Sequence, residues 1–195
     1  MENVKQHGTL EVIAGCMSSG KSEELIRRLR RATIAKQKVL VFKPALDNRT
    51  DEKQIASRNG DTYDAVPINN VLEISHLLSD DVKVIAFDEA QFFSADLLPV
   101  IRSLIASGRR VIAAGLDVDF RGIAFGIMGQ LLAEADRVTK LDAVCMRCGG
   151  RAIRSQRFIN GKPAPFDSSL IAVGGDEMYE ARCRSCLQIV ESREP

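Results

Sequence analysis

The stretch Gly15-Cys16-Met17-Ser18-Ser19-Gly20-Lys21-Ser22 has the form G-x-x-x-x-G-K-S, with an apolar, β-prone run before it at 10–14 and a helix-prone run after it. Strand, glycine-bounded loop and helix in that order make a phosphate cradle at a helix N-terminus, so the rest of such a chain is arranged around a triphosphate. Gly15 and Gly20 can take backbone angles that a Cβ resists, and successive N–H groups, those around Ser18 and Ser19 included, can then point inward. In this reading Lys21 reaches the β- and γ-phosphates and Ser22 offers its hydroxyl to Mg²⁺. The alternative is a Gly-rich turn that ends in Lys-Ser by chance. The strand before and the helix after are the context that argues against it.

Beyond the loop the chain reads as a parallel α/β sheet. Between 21 and 36 the apolar residues Leu25, Ile26, Leu29 and Ala32 recur at helical spacing, while Arg27, Arg28, Arg30, Arg31 and Lys36 are read as a solvated face. The unbroken run Val39-Leu40-Val41-Phe42 predicts a strand buried on both faces and stopped by Pro44. The polar connection 45–60 is long for an idle loop, and Asp47 and Arg49 leave the carboxyl end of that strand, where ligands bind in open α/β sheets. A β-prone piece at 62–68 and a weak helix at 70–78 precede a second buried run, 82–87, that closes in Asp88-Glu89. An Asp at such a strand end holds the Mg²⁺ shell, and the acid after it can orient or deprotonate the attacking oxygen. Asp88 is therefore the metal-side candidate and Glu89 the base.

Gln91, Phe92 and Phe93 come next, an amide and two aromatics beside the chemistry, with core packing as the plainer reading of both rings. A helix is expected over 97–107, a buried strand over 110–115, a loop mixing aromatics and charge over 116–126, a short helix over 127–133 and a last strand over 137–144.

From Cys145 the character changes. Cys145-x-x-Cys148 and Cys183-x-x-Cys186 together supply four thiolates, the set that holds a tetrahedral Zn²⁺, with redox dithiols as the rival reading. The step of 35 positions from Cys148 to Cys183 exceeds the common ribbon spacing, so an excursion must loop out and can fold back as a lid. The chain is accordingly read as a phosphate-loop α/β domain, 1–144, and a zinc-binding lid domain, 145–195. Its 195 residues accommodate one α/β domain and a small appendage. With 27 basic and 26 acidic residues no general field draws nucleic acid or membrane. A polar N-terminus without an apolar signal core points to the cytoplasm, where cysteines serve as ligands sooner than as disulfides. Cys16, His7 and His76 are assigned no chemistry.

Asp88-Glu89-Ala90-Gln91 is like the Asp-Glu-Ala-x box of helicases, but such machines need two lobes and a basic groove, and this chain has room for one lobe. From about Thr9 to Cys186 the combination resembles the zinc-containing type II thymidine kinases. The resemblance rests on the phosphate loop continuing into Glu23-Glu24-Leu25, on Phe42-Lys43-Pro44 with Asp47-Asn48-Arg49, on Asp88-Glu89-x-Gln91-Phe92-Phe93, on Gly115-Leu116-Asp117 with Asp119-Phe120-Arg121, and on both cysteine pairs. It implies a RecA-like phosphate-loop sheet with helices on both faces, a C-terminal zinc ribbon, and transfer of the ATP γ-phosphoryl to the 5′-hydroxyl of deoxythymidine. Glu89 is then the general base. Asp47, Arg49 and Gln91 join the loop residues on the ATP side.

The same resemblance places thymine among Met17, Phe92, Leu116, Phe120, Phe125 and Tyr179, with Leu170, Ile171, Ala172, Val173 and Gly174 closing over it. It further implies a homotetramer inhibited by dTTP. One departure is visible: several members carry Pro before the second pocket Phe, and here Ala124 precedes Phe125. A rival from another class is a zinc-bearing ATP-binding module that docks a partner; Gln91-Phe92-Phe93 and the aromatic 120–125 loop speak against it.

Overall fold

The computed structural model describes residues 7–46, 53–170 and 179–191. In chain order it runs β1 (Thr9–Gly15), α1 (Lys21–Ile34), β2 (Lys38–Pro44), β3 (Gln54–Ala56), β4 (Thr62–Asp64), β5 (Val66–Ile68), α2 (Glu73–Leu77), β6 (Val82–Phe87), a 3₁₀ turn (Ala90–Phe92), α3 (Leu97–Ala106), β7 (Arg110–Gly115), α4 (Met128–Glu134) and β8 (Arg137–Leu141). A smaller all-β part comes after it: β9 (Ala143–Val144), β10 (Arg151–Ala152), β11 (Arg154–Ile159), β12 (Lys162–Pro163) and β13 (Tyr179–Arg182).

Six strands form one parallel sheet in the order β5-β2-β6-β7-β1-β8. Its central strands read as continuous apolar runs because both faces are covered. On one face Leu10, Val12 and Phe87 pack with Ile74 of α2, Leu97, Ile101 and Leu104 of α3 and Met128 and Leu131 of α4. On the other, Ile13, Val41, Val84 and Ile112 pack with Leu25, Ile26 and Leu29 of α1. The fold class expected from the motifs is the one observed. None of the helices among the described residues is long and apolar enough to cross a membrane.

Four local expectations change. The 45–60 connection contains β3, which pairs antiparallel with β4 as a hairpin. Only Ile55 of that three-residue strand is buried, so no periodicity announces it. The 62–68 piece is two strands, since β4 stays with the hairpin while β5 joins β2 in the main sheet. The 137–144 strand breaks at Asp142: β8 lies beside β1, and β9 leaves the sheet to pair with β10, Asp142 meeting Arg151 at 3.2 Å.

Arg28 is not on a solvated face. It is buried, with its guanidinium on Glu11 at 2.6 Å, Glu24 at 2.8 Å and Thr139 at 2.7 Å, because Glu11 of β1 lies directly beneath the helix and needs a cation there.

Candidate active site

Strand β1 delivers the loop to the carboxyl edge of the sheet. Gly20 turns into α1 at φ 83°, and Ser18 also sits in the left-handed region at φ 62°. Gly15 serves through its lack of a side chain and not through a positive φ: a Cβ there would stand 2.5 Å from the Leu141 carbonyl oxygen and 2.7 Å from Ser19 Oγ. Lys21 begins α1, and its Nζ donates to the Cys16 carbonyl at 2.9 Å. Burial pushes the Cys16 thiol up, and although the Lys21 ammonium pulls the other way, the sulfur remains a thiol that donates to the Ala152 carbonyl at 3.4 Å.

Two strands from β1 in the sheet, with β7 between them, β6 ends in the two acids. Asp88 is buried and its N–H donates to the Phe42 carbonyl at 2.9 Å, which ties the end of β6 to β2. Glu89 is buried as well and held at φ 49°, a left-handed conformation that a residue with a Cβ keeps only where its surroundings enforce it. Gln91 provides part of that enforcement. Its amide nitrogen donates to Glu89 Oε2 at 2.5 Å and its carbonyl accepts from the Leu116 N–H at 3.0 Å.

The loop from Met17 through Gly20, with Lys21, Ser22, Asp88 and Glu89, lines one open cavity of about 450 Å³. The facing wall is Ile55 to Asn59 of the β3–β4 hairpin, a set the motifs did not single out. The long polar 45–60 connection was the only hint of it. Ion pairing of Arg30 with Asp61 at 2.7 Å and a Thr33–Tyr63 hydrogen bond at 2.9 Å hold the hairpin on α1.

The aromatics divide between core and site. Phe93 is core, edge-on to Phe87 at 5.8 Å, as the plainer reading had it. Phe92 and Phe125 meet edge to face at 5.4 Å, and Leu116 and Phe120 are buried in the loop that leaves β7. Two guanidiniums stand over the Phe120 ring, Arg121 at 5.9 Å and Arg157 at 5.5 Å, the latter coming from β11. Arg157 also donates to the Ser169 carbonyl, next to Leu170. Tyr179 opens β13 directly across from Arg157, half-buried. Asp47 and Arg49, and Ile171, Ala172, Val173 and Gly174, lie outside the described residues.

The four cysteines expected as ligands converge. Their sulfurs all lie within 4.8 Å of one another, and Cys148 and Cys183 are 3.7 Å apart. Tetrahedral zinc with Zn–S near 2.3 Å sets sulfurs about 3.8 Å apart, so the donor set and its spacing suit Zn²⁺. Cys145 packs inward against Cys16, Ala152 and Ala181, joining the metal site to the phosphate loop. Ser155, whose Oγ accepts the Met17 N–H at 2.9 Å, is another residue that sequence reasoning passed over. A single serine in a strand carries no signal that its partner stands 138 positions away.

A parallel α/β sheet with a phosphate loop, an acid pair at the next strand end but one and a four-thiolate cluster defines a phosphate-loop nucleotide-binding enzyme with a metal ribbon attached. Similarity to known proteins narrows the class. The sequence model of the thymidine kinase family matches residues 8–187. The thymidine kinase of Coprothermobacter proteolyticus is 54% identical over 183 residues, covering 94% of this chain and 92% of that one. The chain belongs to the thymidine kinase family, and it is an enzyme that phosphorylates thymidine with ATP.

Proposed function

We propose that the chain moves the ATP γ-phosphoryl to the 5′-hydroxyl of deoxythymidine in line, within the cavity walled by the phosphate loop and the β3–β4 hairpin. The loop backbone from Gly15 to Ser22 cradles the phosphates, and Lys21 neutralises the β- and γ-oxygens. Ser22 and Asp88 are the residues that would hold Mg²⁺, which would supply positive charge against the phosphate oxygens. Asp47 and Arg49 assist on the phosphate and metal side, as the family resemblance implies. Glu89 takes the hydroxyl proton. A primary alcohol has a pKa far above neutrality, so a fixed carboxylate within hydrogen-bond reach is needed as the phosphoryl group arrives.

The observation that carries this reading is the placement of Glu89: a buried carboxylate in a left-handed turn, in the same cavity as Lys21 and Ser22. Next to it, Phe92 and Phe125 with Met17, Leu116, Phe120 and Tyr179 make the thymine pocket, while Gln91 stays with the ATP-side residues. Leu170 to Gly174 close over the base as the lid of the 145–195 part, with 1–144 as the nucleotide-binding part. Structural Zn²⁺ on Cys145, Cys148, Cys183 and Cys186 keeps that lid part folded. A cytoplasmic homotetramer subject to inhibition by dTTP completes the proposal.

ADP release measured with and without thymidine tests it. The kinase reading expects near silence until thymidine is added, and no stimulation by 5′-deoxythymidine, which lacks the accepting hydroxyl. Equal ADP release in all three conditions overturns the reading in favour of a plain ATPase.

A further inference from the structure

One peptide unit of the phosphate loop is gripped from both sides. The Cys16 carbonyl accepts from Lys21 Nζ at 2.9 Å, and the Met17 N–H of the same plane donates to Ser155 Oγ at 2.9 Å. A peptide plane is rigid, so the direction of its N–H sets the direction of its carbonyl. Ser155 is 2% exposed and sits in β11, paired with Ala181 of β13. Its strand is therefore a firm mount. A second contact from the same side, the Cys16 thiol on the Ala152 carbonyl at 3.4 Å, and the packing of Cys16 against Cys145, Ala152 and Ala181 fix the residue before the plane.

We propose that Ser155 is a positioning residue for Lys21: by fixing the Cys16–Met17 plane it holds the carbonyl that aims the ammonium along the loop. This rests on the reading of the loop as the triphosphate site and deepens it. Without the hydroxyl the Met17 N–H loses its acceptor, and a part-buried donor left unmade favours any rotation that finds a new partner. That rotation carries the Cys16 carbonyl away from Lys21. The lysine then enters the phosphate site from a wider set of positions, and the preorganisation that gives a fixed cation its value in such a site is lost. The three groups Nζ–H, peptide and Oγ also form a chain in which each hydrogen bond polarises the next. Nothing in the chain local to residue 155 suggests this role; it depends on the all-β part docking against the loop.

Mg·ATP binding measured by calorimetry on the full zinc-loaded chain, without nucleoside, provides the test. Ser155→Ala is expected to weaken binding about tenfold, and Ser155→Thr, which restores the hydroxyl, to stay within about twofold of the unaltered chain. In a Lys21→Met background Ser155→Ala is expected to change binding by less than about twofold, because the residue through which it acts is gone. A purely structural serine would weaken binding equally in both backgrounds, and that result overturns the proposal, as does unchanged binding in Ser155→Ala. If Ser155→Ala loses zinc or fails to fold, Ser155→Cys, a weaker acceptor of similar size, gives the same comparison, with a loss smaller than tenfold expected and no loss contradicting it. Unaltered binding in Lys21→Met alone overturns the phosphate-site reading itself, and this proposal with it.

Discussion

Gln91 holds Glu89 by a hydrogen bond of 2.5 Å from its amide nitrogen to Oε2, while its carbonyl oxygen is engaged by the Leu116 N–H at 3.0 Å. The carboxylate is thereby tied to the end of β7, and the left-handed turn at Glu89 is braced from the side chain as well as the backbone. Gln91→Leu should release Glu89 without disturbing the phosphate loop. Turnover is expected to fall by roughly 10- to 100-fold, as for a mispositioned catalytic group. Steady-state kinetics check it.

In the proposed site, Lys21→Ala removes a fixed cation from the β- and γ-phosphates. Preorganised charge at phosphoryl oxygens accounts for several powers of ten in rate, so the purified variant should fold and be nearly inactive. A residual rate above about one tenth, a loss of only ~1.4 kcal/mol of barrier lowering, would show that Lys21 does not face the reacting phosphates.

Zinc is expected at one atom per chain. Cys183→Ser leaves three thiolates and a weaker site, so metal analysis should show zinc lost and limited proteolysis should find the part from 145 onward newly sensitive. Zinc-free protein purified under reducing conditions with that part still resistant would contradict the assignment.

Much of this arrangement was legible in the residues because the informative pieces are contiguous. Eight consecutive positions carry the phosphate loop, and buried parallel strands show as unbroken apolar runs whatever their neighbours. Asp88-Glu89 announces itself by closing such a run. The unread parts are those whose cause lies far off in sequence. Arg28 looks like any helix-surface arginine until Glu11 of β1 and Thr139 of β8 are brought beneath it. The β3–β4 wall has strands of three residues and a single buried apolar side chain in β3, too few for a period to register. Ser155 acquires its partner only when the all-β part docks.

Stability should fall in acid through the ion cluster under α1. Burial raises the Glu11 carboxyl, but hydrogen bonds and charge from Arg110 and Arg28 outweigh it and hold the group below its usual 4.5. Glu24, bonded first to Arg27 and then to Arg28, is lowered to about 2. Both acids have depressed values in the folded chain, so the stability they contribute is present above about pH 4.5 and is lost as the pH falls below it toward 2. Glu11→Gln leaves Arg28 buried against one acid fewer and should cost about 3 kcal/mol at neutral pH, with a shallower acid dependence below pH 4.5. Denaturant melts across pH measure both; unchanged stability in Glu11→Gln would remove the cluster from the account.

The most direct test concerns Glu89 as the base for the accepting hydroxyl. Glu89→Gln keeps shape and hydrogen-bonding size but cannot accept a proton, so calorimetry should find ATP and thymidine bound nearly as in the unaltered chain while phosphoryl transfer falls by roughly 10²- to 10⁴-fold. Loss of thymidine binding with the transfer rate retained at saturation would contradict it.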